Sequence, residues 1–362
     1  MSLRTAWAAR FPSLPLRSLR GARNRFYAEH PEAFPDRGVR GLIASLSWPA
    51  RLQPTRRTPA DYPHDATPGW THKLNGVAAD DTHWYITQES RLHKVPLSHD
   101  LNTSIEGFPV EPLPDDFEHF GDLDVHAGVL YVPLERNEGK PGIATYNTNL
   151  TLLATKELPD RKECPWCAVN PKNGLVYSSE FTAGELRVYR PFLMSVIPVG
   201  TIPLFDEEGR PLEIRSIQGG AFSPLGHLYL LSDEQDGGIM GFDMITGRRV
   251  LHTLVDYKKF LPPIVQTAAR GIGAFIGAAV GWSLSLGGLG GAVLGGLVGF
   301  LLARELAGRP IQELEGLALW NADGRAPGIG GQLHVQMIGL IPPRENQLFF
   351  KHYEADDERK DL

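Results

Sequence analysis

The sequence predicts an all-β chain: a five-bladed β-propeller of four-stranded antiparallel blades, with a glycine-rich α-helical hairpin inserted between blades four and five. Three observations lead there. A strand–turn–strand plan ending in an acid recurs four times at one spacing, a fifth, altered copy follows, and a charge-free glycine-rich block separates the last two copies.

The plan is clearest in Ser216–Asp233, where a first strand, a Pro-Leu-Gly turn and a second strand end at Asp233. Counting back 13 residues from the closing acid takes Glu89 to Gly76, Glu135 to Asp122, Glu180 to Cys167 and Asp233 to Gly220. The four starts lie 46, 45 and 53 residues apart. The fifth start, Glu315-Gly316-Leu317-Ala318, returns to that pitch once the insertion is removed. A strand-patterned repeat with a period in the forties marks propeller blades, each of which needs its neighbours to bury its faces. Third strands follow at 91–95, 142–146, 186–189, 239–243 and 348–353. Five blades is the count, and six follows only if the N-terminal region adds a degenerate one.

The first element in order is an Arg/Pro-rich extension, 1–69. Residues 1–28 carry six arginines and no acid. Three readings stay open for them: a mitochondrial-type presequence, a basic arm on anionic lipid, or a loosely docked extension. The ring-closing strand is expected near 60–72. Blades one to four occupy 70–257, with Pro96, Pro109, Pro112 and Pro114 at the outer edge of blade one, where missing ladder donors do little harm. Thr246-Gly247 reads as a turn between the outer strands of blade four.

The insertion, 258–309, comes next. No charged residue occurs from Gly271 to Ala303. Glycines recur every four residues at 273, 277, 281 and at 287, 291, 295, 299, which on helices places them on one face and lets backbones approach in lipid. The block resembles a glycine-zipper two-helix membrane hairpin, with helices at about 263–286 and 290–306. A hairpin also leaves and re-enters the propeller at nearby points. Basic residues flank both ends: Lys258, Lys259 and Arg270 before it, Arg304 and Arg309 after it. This favours a cytoplasmic-type side for the propeller, with lipid contacted through 264–303. The zipper faces also allow self-association. A mitochondrial location is the alternative. The last blade, 310–357, and a charged tail, 358–362, complete the chain.

Composition narrows the function. The 362 residues carry a formal charge of −6 and no zinc-finger, RNP or P-loop pattern, so no nucleic-acid partner is expected. Cys164 and Cys167 are the only cysteines, which excludes a disulfide-rich scaffold. Their Cys-Pro-Trp-Cys spacing matches a redox dithiol, but they open a propeller strand, where small apolar packing is the simpler role.

In a meander the start of the first strand and the end of the second share one end of the blade. The repeat therefore gathers polar groups at one mouth of the channel. Glu89, Glu135, Glu180, Asp233 and Glu315 form a candidate oxygen-rich metal set, suited to Ca²⁺. His119, Asp122 and Glu135 are the candidate catalytic groups, because carboxylates gathered together raise one another's pKa toward general-base range. Asn75, Trp166 and Gln218 are candidate ligand contacts. The competing role for such acids is to accept from loop backbone donors or pair with arginine and lysine.

Glu315-Gly316-Leu317-Ala318, with the first-strand and second-strand-acid plan, resembles the calcium-dependent lactonase, esterase and phytase-like propellers over about 70–357. That resemblance implies a channel cation that binds and polarises a substrate oxygen. Asn75 matches the family's asparagine-rich shell, whereas Asp122, Gln218 and Glu315 depart from it. Three functions follow: a membrane-associated propeller binding a small-molecule or protein ligand at an acidic mouth, a Ca²⁺-dependent hydrolase of an ester, lactone or phosphoester, and a membrane-inserting effector.

Overall fold

The structure is a computed structural model that describes residues 52–54, 73–114, 116–192, 195–234, 236–255, 312–339 and 348–355. These fall almost wholly in one compact unit. A second unit, 256–313 with 339–345, lies almost entirely outside the described residues, and with it the glycine-rich hairpin. The extension 1–51 and the tail also lie outside them.

The described residues form a five-bladed β-propeller. A short strand β1 (Leu52–Pro54) is used at the very end of the ring. Blade one contains β2 (Leu74–Ala79), β3 (His83–Gln88), β4 (Arg91–Pro96) and β5 (Val110–Pro112), the last a proline-bounded outer edge. Blade two contains β6 (His119–Phe120) and β7 (Asp124–His126), both paired with β8 (Val129–Glu135), then β9 (Gly142–Asn147) and β10 (Leu152–Glu157). Its first strand is therefore broken at Gly121–Leu123, a break that the repeat does not announce. Blade three contains β11 (Cys167–Val169), β12 (Val176–Ser178), β13 (Glu185–Phe192) and β14 (Ser195–Pro203). Blade four contains β15 (Ile217–Phe222), β16 (Leu228–Ser232), β17 (Gly238–Asp243) and β18 (Arg248–Thr253). Blade five contains β19 (Gln312–Leu319), β20 (Leu333–Gly339) and β21 (Leu348–Ala355), with β1 as its outer strand.

Ring closure thus pairs Leu52 with Ala355 and Pro54 with Tyr353. This corrects the closing segment: the strand comes earlier than 60–72, a stretch outside the described residues, and its three residues have too little pattern to be read.

The turn in blade four shows why the repeat folds as it does. Ser223 and His227 bond across it, and Gly226 takes a φ of +86°, which a β-carbon would strain. Apolar alternate residues then fill the seams between blades. Trp84, Trp320 and Phe350 pack at the seam of blades five and one, and Tyr177, Leu230 and Phe242 at that of blades three and four.

One register detail changes the repeat. Bulges fall after Leu74 and after Ile217 in the equivalent first strands. Both strands carry the bulge, but the blade-four hairpin has five residues between Phe222 and Leu228 where blade one has four between Ala79 and Trp84, so Gly219, not Gly220, is the counterpart of Gly76 and the count-back is 14 rather than 13. Gly220 instead meets the Trp166 ring, where an added β-carbon would come within 2.4 Å.

Candidate functional site at the acidic mouth

Antiparallel pairing puts Leu74 opposite Gln88, His119 opposite Glu135 and Ile217 opposite Ser232. The closing acids and the first-strand starts therefore do share one end of the blades. What each acid does there differs from blade to blade.

Asp122 is not at the mouth. It is fully buried at the centre of the ring, where its carboxylate accepts from the backbone N–H of Val77 (3.0 Å), Gly220 (3.1 Å) and Leu317 (3.2 Å), in blades one, four and five. Its own N–H donates to Pro165 O at 2.8 Å, and its carbonyl accepts from Cys167 N–H at 3.0 Å, both in blade three. This single residue of blade two therefore bonds to every other blade. Close approach needs glycine: a β-carbon on Gly76, Gly219 or Gly316 would come within 3.0 Å of Asp122 atoms. Burial pushes the Asp122 carboxyl well above its ordinary value, against the pull of the three N–H donors.

The other acids mostly tie neighbouring segments together. Glu135 Oε1 accepts from Cys164 N–H at 2.8 Å, in the next blade, and Oε2 lies 2.8 Å from His119 Nε2. Asp233 Oδ1 accepts from Leu314 N–H at 3.1 Å, again across a blade seam. Glu180 accepts from Lys162 N–H at 3.1 Å and lies 3.6 Å from Arg161 Nε. Glu315 lies 3.3 Å from Lys73 Nζ. Glu89 is exposed, and its backbone carbonyl accepts from Phe120 N–H. Among the described residues, no three His, Cys, Asp or Glu side chains stand together so as to hold a metal ion. The carboxylates of Glu135, Glu180, Asp233 and Glu315 already face N–H groups, Lys73 or Arg161, a poor donor set for a cation, and the five acids as arranged do not gather around one point as Ca²⁺ requires.

Of the ligand-contact candidates, Asn75 is nearly buried and donates to Phe120 O at 2.7 Å, bracing blade one on blade two. Trp166 is fully buried, its Nε1–H donating to Ser179 Oγ at 2.8 Å. Gln218 is part-exposed. The two cysteines are free thiols with no exposure. Burial pushes Cys164 up to about 11 and Cys167 well above its ordinary value, so both stay protonated and poorly nucleophilic. Cys167 Sγ reaches Tyr131 O at 3.3 Å, as a packing thiol does.

What the mouth presents outward is the His119–Glu135 pair. His119 is 35% exposed and Glu135 only 8%, so an accessible imidazole is held by a buried carboxylate that is itself anchored to blade three. Arg161, Glu163 and Glu180 stand beside it. Burial raises the Glu163 carboxyl, and the nearby Glu135 and Glu180 charges raise it further. Glu163 and Arg161 were not legible as site residues. Their signal was the charged run Asp160-Arg161-Lys162-Glu163 leading into Cys164.

Asp124 gives the site region a pH signature. Its carboxylate turns toward blade three and accepts from Val169 N–H at 2.7 Å, and burial pushes it up to about 7. A raised folded-state value means that the folded chain holds the extra proton between about pH 4 and 7, so this group adds stability as pH falls through that window. The difference in unfolding free energy between the wild type and Asp124→Asn is expected to shift in the wild type's favour by about 1–3 kcal/mol from pH 7.5 to pH 4.5. Urea melts at both pH values check this, and parallel curves would remove Asp124 as the source.

The fold and site together define a five-bladed β-propeller with a sealed centre and an acidic mouth. No protein-family model matches the chain, and no curated protein matches it. Solved structures similar to it include a gluconolactonase from Xanthomonas campestris, at 10% identity and a TM-score of 0.41, covering 77% of this chain and 72% of that one. A luciferin-regenerating enzyme is similar at 10% identity and a TM-score of 0.41, covering 78% and 76%. A chain of a nidogen/laminin complex is similar at 10% identity and a TM-score of 0.36, covering 78% and 82%. Likenesses this remote carry no argument about what the chain binds or does.

Proposed function

We propose that the chain is a membrane-associated β-propeller that binds a small-molecule or protein ligand at its acidic mouth, with His119 as the central contact. The observation that carries this reading is the His119–Glu135 pair: a 35% exposed imidazole fixed at 2.8 Å by a buried carboxylate. Preorganised polar groups of this kind bind with little ordering cost. Asp122 and its glycine surround close the centre behind the mouth, so a ligand seats on this end and does not thread the ring. The charge-free stretch 271–303 supports the membrane association.

The test is a thermal-shift screen of small polar ligands, run in parallel on the wild type and His119→Ala. A ligand that raises the wild-type midpoint by several degrees and leaves the variant unmoved supports the mouth as the site. Equal shifts in both proteins, or none in either, would remove it. Flotation with phosphatidylcholine/phosphatidylserine vesicles, with and without residues 264–303, reports on lipid separately.

A second reading, hydrolysis of an ester or lactone, draws on the same pair. With Glu135 orienting the ring, His119 is placed to take a proton from a water or substrate hydroxyl. Turnover of an aryl ester or a lactone that falls about 100-fold or more in His119→Ala favours this reading. Turnover insensitive to that change speaks against it. No step is assigned to a cation, because four of the five acids that would hold one face other partners.

A further inference from the structure

The fifth blade contains a cluster that the mouth does not use. His334 on β20 and His352 on β21 are directly opposed in register and both buried. Their Nδ1 atoms lie 2.8 Å apart, and His334 Nε2 lies 2.8 Å from the carbonyl oxygen of Trp320. A carbonyl only accepts, so Nε2 of His334 carries the hydrogen. In the neutral ring Nδ1 is then the acceptor, and His352 Nδ1–H is the donor to it. This arrangement satisfies both facing nitrogens with one proton.

A second proton does not fit. Placed on His334 Nδ1, it would oppose the N–H of His352 at 2.8 Å, or force His352 to change tautomer. Trp84 meets His334 edge-on at 5.8 Å between centroids, Trp320 lies at 6.3 Å, and Phe350 lies 5.9 Å from His352. Trp84 on β3, Trp320 just after β19 and Phe350 on β21 thus place uncharged rings around His334 and beside His352. Among the described residues, the charged group acting on His334 is Asp323, which favours protonation but is outweighed by burial. Lys351 is next to His352 in sequence and so lies on the opposite face of β21.

We infer that the His334–His352 pair is an acid-sensitive latch: on acidification the fifth blade, which carries the ring closure, loosens before blades two and three. The location gives the pair this leverage. Just beyond it, Gln332 Oε1 accepts from Ala355 N–H at 3.0 Å, and Leu52 pairs with Ala355. Loss of the β20–β21 contact therefore reaches the closing strand directly.

Signs in the two regions are opposite. Burial pushes His334 down to about 4, so below the ordinary histidine value the unfolded blade takes up a proton that the folded blade refuses, and stability falls as pH falls from about 6.5 to 4. Asp124, at the seam of blades two and three, is shifted up and gains stability over the acidic range. Acid therefore weakens the fifth blade and firms the seam between blades two and three. The inference is independent of what the mouth binds.

Hydrogen exchange of the full chain, measured by mass spectrometry at pH 7.0 and pH 5.0 and corrected for intrinsic rates, tests it. Peptides from 312–339 and 348–355 are expected to lose protection by on the order of tenfold at pH 5.0, while those from 119–157 and 167–203 hold or gain it. A His334→Gln variant is expected to flatten the fifth-blade response. A uniform loss across all blades, or a fifth blade equally protected at both pH values, would overturn the latch. The wild-type measurement alone decides this if the variant does not fold.

Discussion

Asp122→Ala is expected to unfold the propeller or to bring it to the edge of unfolding. The carboxylate accepts from three backbone N–H groups in three other blades, at 3.0, 3.1 and 3.2 Å. Alanine leaves all three donors buried without a partner. Each such donor costs about 1–3 kcal/mol, and removing a buried charged acceptor typically costs about 3–5 kcal/mol. A loss of ~4 kcal/mol or more is comparable with the whole stability of a typical domain, about 5–15 kcal/mol. Asp122→Asn keeps one acceptor oxygen but turns an NH₂ group toward the remaining donors, so it should fall between the two. Soluble yield and urea midpoints of the three proteins give the order. An alanine variant melting within a few degrees of the wild type would show that the hub is not what holds the blades together.

Gly121→Ala is expected to have the second-largest effect. A β-carbon there would lie 2.3 Å from the Pro165 carbonyl oxygen and 2.9 Å from its carbon. The obstacle is the backbone of blade three, which cannot swing aside as a flexible side chain can. Relief requires the seam to open next to the Asp122 N–H to Pro165 O bond. Overpacking of this kind costs about 1–3 kcal/mol, and the adjacent bonds add to it. The control is Gly128→Ala in the same blade, where no atom lies within 4 Å, although its φ of +79° carries a modest strain. Thermal unfolding should separate the two clearly, with Gly121→Ala much the lower. Similar midpoints for both would mean that the seam is softer than its contacts indicate.

Blade count, strand order and the proline edge of blade one were legible in the sequence because they follow from local pattern: apolar runs, a turn and a closing acid at a fixed distance. The partners of the acids were not. Glu135 meets an N–H 29 residues away and Asp233 one 81 residues away, and nothing at either acid announces its donor. Asp122 did leave a trace. It occupies the place where other copies carry Gly76 and Gly316, and a carboxylate in a column of glycines is a sign of a group reaching into the centre. Reading it as a mouth residue followed from treating the first strand of blade two as unbroken. The extra turn residue that moves the count in blade four from Gly220 to Gly219 is likewise invisible in a spacing rule.

The pairing of β1 with β21 also sets a timetable for the chain as it is made. Synthesis runs from β1 to β21, so Leu52–Pro54 leaves the ribosome long before Tyr353–Ala355 exists to receive it. Blades one to four can assemble in turn as their strands emerge, since each is contiguous. β1, the first made of the described strands, has to wait for its partner through all of that time. The last blade is finished only by joining two segments made at widely separated times, and until then its outer edge is open to the wrong partner.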